Sequence, residues 1–172
     1  MMEAMYLTIR VLHVLMGAVW LGWVLFLVLF LQPAVLDTGP DGAKVMAAVE
    51  RRGFVAGIPI VSATAILSGL WLYWRYTAGF SPAISQSHAG MAFGAGGALA
   101  IVAAIIGGGM VSRVAKKATT LSQEAGAMPD GAKRTTTLAA ALELRRRALT
   151  LTRIIAVLLI ATVALMSIAI LI

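Results

Sequence analysis

Four runs of apolar residues, each long enough to cross a lipid bilayer as a helix, decide what this chain can fold into. A hydrocarbon core of about 30 Å needs roughly 20 consecutive apolar residues at the helical rise, and residues 5–31, 54–76, 87–111 and 154–172 meet that length. Inside hydrocarbon every backbone N–H and C=O must find its partner within the protein, which a helix achieves alone. The composition agrees: 60% of the 172 residues are hydrophobic and 12% charged, against about a quarter charged in a soluble domain. The predicted fold is therefore all-α: a single membrane domain over residues 1–172, with four transmembrane helices in an antiparallel up-down-up-down bundle. The first run far exceeds the roughly 7–15 apolar residues of a signal-peptide core and reads as a retained span.

Charge sets the orientation. Residues 113–153 carry Arg113, Lys116, Lys117, Lys133, Arg134, Arg145, Arg146, Arg147 and Arg153 against Glu124, Asp130 and Glu143, so the positive-inside rule puts this basic helical loop in the cytoplasm. Both termini then fall on the outer side of a multi-pass protein of the bacterial plasma membrane. The net charge of +7 flanks spans and is not interleaved with aromatics, which argues against nucleic acid as a partner. Pro33 and the run 37–42 read as a break after span one, residues 43–52 as a short amphipathic helix, and residues 132–147 as a helix running without a breaker into span four. Pro59 is expected to kink span two, with Ser62 near enough to meet a freed carbonyl. The chain has no cysteine, which excludes disulfides, thiolate metal sites and covalent c-type haem.

The chemistry has few places to reside. No Asp or Glu falls inside a span, which counts against proton-coupled transport and cation conduction, and no hydrolytic constellation or phosphate loop is present. The two histidines remain. His13 lies about two turns into span one, where an ionisable residue is costly and so a functional candidate, the alternative being an imidazole bonded to a facing hydroxyl or carbonyl. His88 reaches a similar depth if span three starts at the Ser81–Pro82 cap pair, which places it roughly 9 Å along that helix. Two imidazoles from parallel helices suit the axial positions of haem b. Gly17 gives the macrocycle room, and Arg10 and Arg75 are candidates for its propionates, interfacial snorkelling being the alternative for both. Because Met16 follows His13 and Met91 follows His88 by one turn, a two-His, two-Met copper site is the second chemistry, with methionine as bundle filler the plainer reading.

The stretch from Tyr6 through Arg10, His13, Met16, Gly17 and Trp20 to Gly22 resembles the first helix of the CopD and HemJ-type membrane families, in which an early His is followed by a Trp and a small residue. Ser68-Gly69-Leu70-Trp71 in span two and Leu165-Met166 in span four are similar too. The resemblance implies a haem-binding or copper-related bundle with His13 as cofactor ligand. HemJ proteins are haem b-binding protoporphyrinogen oxidases that pair this His with a third-helix Lys; here no lysine follows His88 before Lys116. The reading is a membrane haem b protein for electron transfer or small-molecule oxidation, an oxidoreductase if it is an enzyme. Its partners would be the lipid bilayer, a quinone or a redox protein, and a second copy of itself. The alternatives are copper handling and a cofactor-free subunit of a larger membrane complex.

Overall fold

In a computed structural model, which describes residues 2–38 and 40–171, the chain is helical almost throughout, with no strand among those residues. Helix α1 (Met2–Phe26) passes through a π-helical turn, Leu27–Leu31, into α2 (Gln32–Asp37). Helix α3 (Pro40–Arg51) and the left-handed Gly53 lead into α4 (Phe54–Tyr76). A single turn, α5 (Pro82–Ser85), precedes α6 (His88–Ile105), which continues through a second π turn, Ile106–Val111, into α7 (Ser112–Gly126). Helix α8 (Ala132–Ile168) closes the chain.

Four of these continuous helices, Met2–Asp37, Phe54–Tyr76, His88–Gly126 and Ala132–Ile168, are long and apolar enough to cross a membrane, and the protein is a multi-pass membrane bundle. Helix α1 packs along α4 and α6 along α8; the pairs meet through α4 against α6 and α1 against α8, which leaves α1 and α6 on a diagonal. The directions alternate. Trp23 lies against Gly57 while Tyr6 lies 6.3 Å from Trp71, so α1 and α4 run antiparallel. Tyr73 donates to the Gly90 carbonyl and Thr162 to that of Gly96, which reverses α6 and α8 in turn.

The core gathers Trp20, Val24 and Val28 of the first span, Ala65 of α4, Ala103 of α6, and Ile155, Ala156 and Leu159 of α8. No residue of α1 before Trp20 is fully buried, so packing is tight toward the π turns and looser toward the amino-terminal end. The outward faces carry Leu7, Val11, Leu67, Val102 and Val157, each more than 40% exposed, as a lipid-facing surface requires.

Several boundaries depart from the sequence expectation. Pro33 does not break the first span: it falls in the first turn of α2, directly after the π turn. There the widened turn accommodates the carbonyl a proline cannot satisfy. Within the expected break of residues 37–42, Gly39 lies outside the described residues, as does Ile172 at the expected end of span four. Ser62 donates to the carbonyl of Pro59 itself at 3.1 Å, rather than to the one that Pro59 leaves unpaired a turn earlier. The third span begins at its expected boundary, beside residue 87, and not at Ser81, the earlier start on which the depth of His88 was argued. The turn begun there ends at Ser85, and a fresh helix starts at His88, capped by Ser87, whose hydroxyl accepts from the Gly90 amide at 3.1 Å.

Beyond the spans, α7 and the first half of α8 form an antiparallel hairpin. Its seam is made of Ala118 and Ala125 facing Ala141 and Ala148, all buried and spaced seven residues apart on each helix. Such side chains let two helix backbones approach closely. The 37-residue α8 is roughly 55 Å long at 1.5 Å per residue, so it extends well past a 30 Å core, as the unbroken run from 132 predicts.

Candidate functional site

His13 projects from the inward face of α1 toward α4 and is partly buried. Its Nδ1 lies 2.8 Å from the Ala65 carbonyl oxygen and 3.3 Å from Ser68 Oγ. A carbonyl only accepts, so Nδ1 carries the hydrogen. The Ser68 hydroxyl spends its own proton on the Thr64 and Ala65 carbonyls, at 2.6 and 3.0 Å, and faces His13 as an acceptor. The position of Nε2 is thereby defined: it has no hydrogen-bond partner among the described residues and is not sealed from its surroundings. An imidazole oriented through Nδ1–H on a backbone carbonyl, with Nε2 unengaged, has the arrangement that metal-ligating histidines adopt.

The seat for the ring is Gly69. A Cβ there would stand 2.7 Å from His13 Cε1 and 3.6 Å from Nε2, so the absence of a side chain on α4 is what admits the imidazole. One turn toward the core from His13, Gly17 has no neighbouring atom within 4 Å of where a Cβ would stand, and the same holds for Gly97 on the diagonal helix. Met16 packs partly buried against the core. Arg10, one turn toward the amino terminus, is exposed, and so is Arg75 in the last turn of α4, at the same end of the bundle.

His88 is elsewhere. As the first residue of α6 it is exposed, and it lines a surface cleft of about 420 Å³ with Tyr76, Gln86, Ser87 and Ala89. On α4, His13 is level with Ala65 and Gly69 while His88 is level with Tyr76. That is seven to eleven residues, or roughly 10–16 Å along the axis. Side chains on the parallel helices α1 and α6 tilt the same way, so tilt does not close the gap. A metal between two imidazoles holds their nitrogens roughly 4 Å apart, at bonds near 2 Å. The expected pairing of His13 with His88 rested on a helix starting at Ser81, and the break at Gln86 removes it. The copper constellation is divided likewise: Met91 follows His88 and is 52% exposed, while Met16 stays with His13. No group of three or more His, Cys, Asp or Glu stands close enough to hold a metal ion among the described residues.

The site is thus a single imidazole, clamped at Nδ1 and open at Nε2, in the looser half of a four-helix membrane bundle. No family model, no curated protein and no solved structure matches the chain.

Proposed function

We propose that this protein holds haem b within the bilayer, with His13 Nε2 as the one ligand the chain would supply, and serves electron transfer or the oxidation of a small molecule. The observation that supports this is the 2.8 Å hydrogen bond from Nδ1 to the Ala65 carbonyl, which fixes the ring and directs Nε2 as a donor to a metal. The residues around it suit the group. Gly17 and Gly97 put no side chain in the way of a macrocycle, and the exposed Arg10 and Arg75, at the same end of the bundle, would be the residues to meet its propionates. Haem, if bound, would supply one-electron chemistry; of this chain's residues His13 would be the ligand and the surrounding helices would tune the potential. By the positive-inside rule the basic hairpin lies in the cytoplasm of a bacterial cell and the His13 end faces outward.

A second reading is favoured by the same hydrogen bond. A His13 that only ties α1 to α4 would be a packing clamp in a cofactor-free subunit of a larger complex. The two readings separate in one preparation. Protein purified from cells supplied with haem precursor is expected to carry a Soret band and a pyridine haemochromogen of the b type, near one haem per chain. A folded, featureless preparation that co-purifies with stoichiometric partner subunits would reject the haem reading in favour of the clamp.

A further inference from the structure

Most of the cations at the other end of the bundle make no ion pair among the described residues; Arg134, which pairs with Asp130 at the tip of the hairpin, does. Arg113, Lys116, Lys117, Arg146, Arg147 and Arg153 are exposed and make no ion pair among the described residues; Arg145 donates to Ser122 at 3.1 Å. Two pairings set their height. Gly107 stands against Ile155, and Ser122 against Arg145, so Arg113 falls level with residues 149–154 of α8, the height of Arg153. Arg51 closes α3 at this same end and Arg52 follows it. The cations form one band where the apolar stretch of α8 begins.

One stripe of that band has a more particular shape. Arg146, Thr150 and Arg153 recur at four- and three-residue steps and therefore share a face of α8. The same face continues into a cleft of about 280 Å³ lined by Thr150, Arg153, Ile154, Val157 and Leu158. Cationic and hydroxyl groups thus sit at the bilayer boundary directly above an apolar groove that faces hydrocarbon. Glu143, the one acid near the stripe, stands a turn farther from the bilayer than Arg146 and forms no ion pair.

We propose that this stripe binds one anionic phospholipid, its phosphate on the Arg153 guanidinium with Arg146 two turns farther from the hydrocarbon, and an acyl chain along Ile154, Val157 and Leu158. The Thr150 hydroxyl between them donates to the Arg146 carbonyl and leaves its oxygen lone pairs, not a proton, toward the headgroup. Guanidinium geometry suits phosphate oxygens. The surplus of cations over acids selects a headgroup of net negative charge over a zwitterionic one. The binding does not depend on the haem reading.

Native mass spectrometry of the full chain, released from vesicles of equal phosphatidylglycerol and phosphatidylcholine, tests it. Wild-type protein is expected to retain phosphatidylglycerol preferentially. Arg153→Gln is expected to lower that preference about fivefold, the factor one basic residue near an anionic surface commands; Lys133→Gln, at the far tip of the hairpin, is expected to leave it intact. Val157→Trp, which fills the groove without touching a charge, should lower total retained lipid. Wild-type helicity by circular dichroism identifies the variants that fold. Equal retention of both lipids, an unchanged preference in Arg153→Gln, an unchanged total of retained lipid in Val157→Trp, or displacement of the lipid by millimolar inorganic phosphate would overturn the proposal. So would a dimer that buries this face and carries no lipid.

Discussion

At His13 a single glycine decides whether an imidazole fits between two helices. A methyl at Gly69 would reach 2.7 Å from Cε1, closer than real carbon atoms approach, so Gly69→Ala must displace the ring or part the helices. Overpacking of this kind costs about 1–3 kcal/mol. We expect that loss in reversible unfolding from detergent micelles, and expect it to fall by more than half in a His13→Ala background, where the obstructing ring is gone. An equal cost in both backgrounds would mean that Gly69 does not seat His13. Thr162 offers a milder probe: its hydroxyl donates to Gly96 across the α6–α8 interface at 3.1 Å and to Leu158 in its own helix at 2.9 Å. Thr162→Val should therefore cost only about 0.6 kcal/mol, the average for an interhelical hydrogen bond in a membrane. That His13 sits within a membrane-spanning helix was legible from its place in the first apolar run. Its partners were not, because Ala65, Ser68 and Gly69 become its neighbours only through the rotation of α4, which packing sets. Arg10 and Arg75 lie at the expected end of the bundle and are both exposed.

Among the elements, the apolar runs were read correctly where length alone decides and misread where a local backbone feature intervenes. The fresh start of α6 at His88 turns on Ser87, a better N-cap than Ser81 because its hydroxyl takes the Gly90 amide, and two serine caps six residues apart compete in the sequence on nearly equal terms. The π turns at Leu27–Leu31 and Ile106–Val111 leave no composition signal that separates them from ordinary helix. The hairpin seam did leave one, the seven-residue spacing of Ala118 with Ala125 and Ala141 with Ala148, which the surrounding charges obscured. Ala125 is fully buried in that seam. Ala125→Leu is expected to part α7 from α8, raising amide exchange and proteolysis in 120–135 at least tenfold while the spans stay protected. If exchange in the hairpin stays at the wild-type rate, close packing through small residues is not what joins it.

For the molecule as a whole, the four alternating helices follow from apolar length and were predicted from the sequence; that the basic loop 113–153 folds as a hairpin of two helices was not. Charge alone carries the expectation that the basic end faces the cytoplasm. Because the chain has no cysteine, single introduced thiols report it cleanly. Ala127→Cys in the hairpin turn and Ala83→Cys beside the cleft are both at exposed positions on opposite ends. In intact cells, a membrane-impermeant maleimide is expected to label Ala83→Cys and spare Ala127→Cys; the reverse pattern would invert the topology. The division of the two histidines between two levels of the bundle then leads to the most direct measurement: haem content and reduced-minus-oxidised spectra of His13→Ala and His88→Ala side by side, from cells supplied with haem precursor. A one-ligand site on His13 predicts that His13→Ala loses its haem while His88→Ala keeps both the content and the band positions of the wild type. Loss of haem in both variants would restore the paired ligation that the start of α6 argues against, and retention in both would contradict His13 as the ligand.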